Sequence, residues 1–260
     1  MEYPAVKWYG INALGIRHSR GSFMIDCYVS RDAEALHIAS EVDKYIIDPP
    51  DFVLMTHAHW DHLPDMPYIM QKFQCPLYAS KTACNIMRAM NVPEKLLHEL
   101  VYGGELLLPG NVKVTALESR HMGIAGEPEG YSNVPEKFDP DDKSSWRCGE
   151  TFAFLIEVDG KRLLNIGSAN MHEEVMHGME CDYLLCGISR WKEGFPELLQ
   201  NNVSYKTLIP THHDEFRLKL DEFYLRDDME RLKKAIPGIN YMQLPILEWV
   251  SLAENQEKEK

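Results

Sequence analysis

Residues 56–63 read THAHWDHL and sit directly behind an apolar run, FVLM. His57, His59, Asp61 and His62 thus fall within six residues. On an extended segment residues two apart point to one side, so His57 and His59 face together. A turn after the strand brings Asp61 and His62 back towards the same point. Neutral imidazoles with a carboxylate are the ligand set that zinc and iron(II) prefer. A lone histidine is more often capped or exposed than ligating, but that reading does not account for four such side chains in this order. One loop cannot close a coordination sphere, so the remaining ligands must come from other strand ends.

Short apolar or alternating segments at 23–29, 52–57, 112–117, 152–158, 162–167, 183–189 and 207–212 have the pattern of buried strands. Asp159-Gly160 marks a hairpin between two of them. Helices are expected at 81–91, 93–100, 171–178, 195–202 and 226–236, with Pro93 in a first turn and Gly178 as a stop. Strand-helix alternation with hairpins mixed in predicts an α/β layered domain with mixed sheets spanning 1–260, the tail 254–260 being frayed.

Active sites of layered α/β folds collect at strand ends. Three strand ends carry suitable groups: TALESRHMG with His121, RLLNIGSAN with Ser168, and TLIPTHHDEF with His212 and His213. Residues 122–150, rich in Gly, Pro, Asp and Ser without an apolar period, follow His121 directly. A loop this long in a compact domain is either functional or disordered, and its position favours function.

The chain has 260 residues, 45% of them hydrophobic, and a net charge of −13. That apolar share suffices for a buried core, and the charge argues against nucleic acid or an anionic membrane as partner. The first residues lack the basic and apolar regions of a signal peptide, and no apolar run approaches a membrane span. Cys27, Cys75, Cys84, Cys148, Cys181 and Cys186 form no Cys-x-x-Cys pair. Free thiols in a cytoplasmic protein are the expectation.

THAHWDH, the strand-end His121, the GSA turn and PTHHDEF, in this order, resemble the metallo-β-lactamase superfamily. Within it the chain looks most like the branch of ascorbate-phosphate lactonase-like cytoplasmic hydrolases. The resemblance implies a four-layer αβ/βα sandwich with two mixed β-sheets and metals at one edge. It implies His57, His59 and His121 on one ion, and Asp61, His62 and His212 on a second. The family's bridging aspartate falls at Ser168, whose neutral hydroxyl is a weak ligand; Asn170 and His172 follow it, His172 being expected on the next helix. His213 takes the place of an aromatic lining residue. His18, His37, His98 and His177 have no motif partners.

Such a site implies a metal-dependent hydrolase that uses metal-bound hydroxide, oriented by Asp61, on a small-molecule ester, lactone, amide or phosphodiester. Zinc, one ion or two, is the expected cofactor, with manganese or iron as alternatives. Tyr28, Arg31, Tyr131, Trp146 and Arg147 are candidate pocket residues, and an arginine there would favour an anionic substrate. An iron-dependent oxidoreductase on the same fold is the alternative. A metal-binding protein without turnover is a third reading.

Overall fold

The computed structural model describes residues 2–31, 38–123 and 129–253. His37, residues 124–128 of the long loop and the expected tail at 254–260 lie outside the described residues. The first strands are β1 (Ala5–Trp8), β2 (Leu14–His18), β3 (Gly21–Ile25), β4 (Val53–Leu54), β5 (Leu77–Ala79) and β6 (Leu97–Glu99). A second sheet follows from β7 (Gly104–Leu108), β8 (Val112–Glu118), β9 (Phe152–Val158), β10 (Lys161–Ile166), β11 (Met179–Gly187) and β12 (Val203–Thr211). β13 (Trp249–Ser251) returns to the first sheet beside β1. The orders are β13-β1-β2-β3-β4-β5-β6 and β12-β11-β10-β9-β8-β7. Each sheet is part antiparallel and part parallel: β3 to β6 run parallel in the first, β10 to β12 in the second.

Alternation along the strands builds the layers. Phe23, Ile25 and Leu54 of the first sheet meet Val114, Phe154, Ile156 and Ile209 of the second in a shared core. The intervening residues point outwards. Met24 and Val53 pack with residues of α1 (Ala39–Tyr45), α2 (Met66–Phe73) and α3 (Lys81–Ala89). Leu155, Leu164 and Leu208 pack with residues of α4 (Glu173–Met176), α5 (Phe195–Asn202) and α6 (Asp228–Ala235). The result is the four-layer αβ/βα sandwich with two mixed sheets. Phe23 and Phe52 stack at 4.8 Å between centroids in the shared core, and burying each such side chain contributes about 1.5–3 kcal/mol.

Some sequence expectations need correction. The helix expected at 93–100 is one 3-10 turn, Glu94–Leu96, followed by β6. Its Leu97 pairs with Leu77 on the sheet edge, and Arg88 of α3 holds Glu94 and Glu99, so tertiary partners override a pattern that suits a helix equally well. The helix expected at 171–178 shortens to Glu173–Met176, with Gly178 beyond it at φ 76°. The strand expected at 23–29 ends at Ile25, because Asp26 takes a left-handed φ of 48°. The strand expected at 52–57 is only Val53–Leu54. Both chains leave the sheet early, where the candidate site begins. The hairpin turn stands as expected, with Asp159 at φ 45° and Gly160 at φ 74°.

Candidate metal centre

β3 and β4 are parallel neighbours, with Ile25 opposite Leu54, so the residues that follow them emerge side by side. Asp26 uses that placement. Its carboxylate accepts the Thr56 backbone amide, the Thr56 hydroxyl and the Asn12 amide, each at 2.7 Å. His62 Nδ1 lies 2.7 Å from the same carboxylate. The Thr56 hydroxyl has donated its hydrogen to Asp26, so its oxygen accepts from His57 Nδ1, 3.0 Å away. Both rings are thereby fixed with Nδ1 protonated and the Nε2 lone pair available. Beyond His57 the chain turns, with His62 N donating to His59 O at 3.0 Å, and this turn swings Asp61 and His62 back.

The second sheet supplies the rest of the constellation from its own strand ends. His121 follows β8, Ser168 follows β10 and His212 follows β12. Asn12 joins the two sheets beneath them: besides Asp26 it bonds Asn165 of β10, and its carbonyl oxygen accepts from Thr211 of β12 at 3.0 Å. His212 takes a left-handed φ of 56°. Its amide donates to Ile11 O at 2.7 Å, and its carbonyl accepts from Arg226 at 2.9 Å. Such a conformation costs energy, and it persists where the surroundings hold the chain from both sides.

All six expected ligands converge. The His57, His59 and His121 rings are in mutual contact, with centroids 4.5–5.0 Å apart. Asp61, His62 and His212 form a group whose ligand atoms all lie within 4.8 Å of one another. His212 Nε2 is 3.3 Å from Asp61 and His62 Nε2 3.9 Å from it. The rings of His57 and His62, 3.9 Å apart, join the two groups. The donors suit a cation: His57 Nε2 is buried without a hydrogen-bond partner. Burial, then the surrounding imidazoles, hold the His57 ring far below its ordinary pKa, so it is neutral. Burial alone would raise the Asp61 carboxyl, but His62 and His212 outweigh it and hold the group well below the carboxylate range. Burial opposes charge on His62 too, yet Asp26 and Asp61 raise its pKa above the ordinary value.

A seventh donor arrives that sequence reasoning did not include. Cys148 offers its sulfur to a second group, with His57 and His59, again within 4.8 Å. It ends the long loop, and no Cys-x-x-Cys spacing announces it. Asn12, Asp26 and Trp60 were equally unmarked. Trp60 meets Tyr28 and Phe216 edge-on or tilted, and Phe216 stands 5.3 Å from the His212 ring.

Several candidates lie elsewhere. Arg31 and Tyr28 are buried. Arg31 Nη2 pairs with Asp214 at 2.5 Å, a buried ion pair rather than a pocket lining. His213 turns from the ligand groups onto Trp8, stacked at 5.3 Å. Arg147 lies over the Tyr131 ring, whose backbone is held by Thr82 and Asn85 of α3. Trp146 is buried against Phe138. The Ser168 hydroxyl accepts from Met122 N at 3.0 Å, and Asn170 donates to His121 O at 3.0 Å, so both brace the segment around His121. His172 precedes α4 and faces Glu118 at 3.9 Å. An open depression of about 420 Å³ is lined by Tyr102, Arg120, His121, Glu129, Cys148 and Asn170, among others.

A beta-lactamase superfamily domain model matches residues 22–214. A "UPF0173 metal-dependent hydrolase" of Polynucleobacter asymbioticus is 23% identical over 252 residues, covering 93% of this chain and 83% of the relative. Among solved structures, Igni18, a metallo hydrolase of Ignicoccus hospitalis, superposes with a TM-score of 0.62 at 15% identity, over 95% of this chain and 97% of its own. CmlA, a diiron β-hydroxylase of Streptomyces venezuelae, gives 0.60 at 12% identity, over 97% of this chain and 55% of its own. Strand ends that gather a His-x-His-x-Asp-His run with two later histidines, on this sandwich and under this family model, place the chain in the metallo-β-lactamase superfamily.

Proposed function

We propose that the protein is a metal-dependent hydrolase of small-molecule esters, lactones, amides or phosphodiesters. The observation that carries this reading is the pair of adjoining donor groups at one edge of the sandwich: His57 and His59, with the His121 ring against both, beside Asp61, His62 and His212, the two joined through His57 and His62. His57, His59 and His121 would hold one ion, and Asp61, His62 and His212 a second. Zinc suits this imidazole and carboxylate set, with manganese or iron as alternatives. A bound ion supplies Lewis acidity and a nucleophile near neutral pH. The name shared by relatives such as the Polynucleobacter protein, a metal-dependent hydrolase, supports the same reading.

The chain's own residues supply the rest. Asp61 stays anionic and accepts a hydrogen bond from a water, aiming it at the substrate. Asp26 fixes the His62 ring and, through Thr56, that of His57. Arg120, exposed at the rim of the depression, pairs with an anionic group of the substrate. The long loop, which reaches Trp60 through Lys143 at 4.1 Å and ends at Cys148, is placed to select substrates. Cytoplasmic residence belongs to this proposal; none of the six cysteines is in a disulfide, and no described helix is long and apolar enough to cross a membrane.

A panel of lactones, esters, amides and phosphodiesters tests the reading, using protein stripped with chelator and reloaded with single metals. Hydrolysis that disappears on chelation, returns with metal and fails in Asp61→Asn supports it. Oxygen consumption by the iron-loaded protein, without hydrolysis of any member, would favour the oxidoreductase instead.

A further inference from the structure

The sequence gives Cys148 no motif, yet the fold delivers its thiol to the histidines that open the metal motif. Two backbone contacts fix that delivery. Ala58 N donates to Cys148 O at 3.0 Å, and Phe152 N donates to Thr56 O at 2.8 Å. The stretch from 148 to 152 is therefore laid against the motif itself. Gly149 makes the bend, at φ 66°, and a Cβ there would stand 2.3 Å from Thr82. No other residue fits that position without displacing α3. The Cys148 side chain is buried, with its sulfur inside the His57 and His59 group and 3.5 Å from the Thr151 hydroxyl.

The charges of the site are divided unevenly without it. Asp61 gives the His62 and His212 group an anion, whereas His57, His59 and His121 are imidazoles alone. Ser168 brings no charge, and its hydroxyl already accepts the Met122 amide. A thiol becomes an anionic donor when it coordinates a metal, because the cation displaces its proton. His57 Nε2, buried and without a hydrogen-bond partner, faces the same need for a cation.

We propose that Cys148 is a protein ligand of the ion held by His57, His59 and His121, entering as a thiolate and releasing its proton to solvent. This rests on the metal-dependent reading above and deepens it. The set becomes three imidazoles and one sulfur, which favours zinc over manganese or magnesium. Each group then contains one anionic side chain, Cys148 in the first and Asp61 in the second.

Cobalt(II) reports sulfur ligation directly, through an intense near-ultraviolet sulfur-to-cobalt charge-transfer band that nitrogen and oxygen donors do not produce. The full chain, stripped and titrated with cobalt(II) under reducing conditions, is expected to develop this band as the first equivalent binds. Cys148→Ser should bind cobalt without the band and lose affinity for one ion by at least the roughly 10–100-fold that losing an outer partner of a ligand costs. Cobalt bound by the wild type with no such band overturns the Cys148 assignment and leaves the hydrolase reading intact. A band that persists in Cys148→Ser assigns the sulfur to another cysteine and overturns it equally. Failure of the wild type to bind cobalt at all defeats both readings. Where Cys148→Ser does not fold, Cys148→Ala takes its place, and absence of the band from the wild type overturns the assignment without either variant.

Discussion

The Ser168 hydroxyl accepts the Met122 backbone amide at 3.0 Å, tying the end of β10 to the segment that leaves His121. A residue at the position of a bridging carboxylate thus serves here as a brace. Two dications repel most strongly where no anion lies between them, and the three-histidine site is closer to complete without a bridge, so the Asp61, His62 and His212 site should be the looser of the two. Ser168→Asp restores a carboxylate that can still accept the Met122 amide, and it should raise occupancy towards two ions per chain. Competition titrations of both proteins check this. Two equally tight ions in the wild type, with no gain in the variant, would rule it out.

Asp26 should matter to metal binding without touching a metal. It holds His62 directly and His57 through Thr56. Asp26→Asn keeps the volume but removes the charge that orients both rings, and should weaken metal binding roughly 10–100-fold. Chelator competition gives the number; unchanged affinity with a normal melting curve would show that the rings are positioned by packing alone.

The Arg31–Asp214 pair has a structural role. Burial would raise the Asp214 carboxyl, but Arg31, then His212, hold it below its ordinary pKa. Arg31→Met leaves that carboxylate unpaired in the interior, a loss of about 3–5 kcal/mol. Thermal or denaturant unfolding measures it. A variant as stable as the wild type but with a raised KM would instead return Arg31 to the substrate pocket.

The parts of this molecule that were legible in its sequence are those set by local pattern. Residues 152–158 and 195–202 emerge as β9 and α5 with the expected limits, because their alternation and flanking turns are self-contained. His57 to His62 announce themselves for the same reason: one turn carries them all. Leu96 and Leu97 suit a helix or a strand, and only the open edge beside β5 decides. Cys148 and Asp26 could not be read at all. Each reaches the histidines across a long stretch of chain, and only parallel strand ends and the Gly149 bend make them neighbours. Arg31 and His213 fail in the opposite sense, since their residue types suit a pocket but Asp214 and Trp8 hold them inside.

Acid sensitivity should contain a contribution from His213. Burial pushes its pKa down from 6.5 to about 4. Between those values the unfolded chain takes up a proton that the folded one does not, so stability is full above pH about 6.5 and falls as pH drops towards about 4. The loss is on the order of 3 kcal/mol. His213→Phe keeps the stack on Trp8 and removes this term. Denaturant unfolding of metal-stripped wild type and variant at a series of pH values compares them, and parallel profiles would argue that His213 is not buried as a neutral ring.

The central claim is that His57 and His212 belong to two adjoining metal groups, and elemental analysis tests it most directly. Wild type, His57→Ala and His212→Ala are purified, reloaded with zinc, desalted and measured for metal per folded chain. The account predicts metal in the wild type and a loss in each variant, with the His57→Ala chain losing the tighter ion. Full metal content in both variants would contradict it.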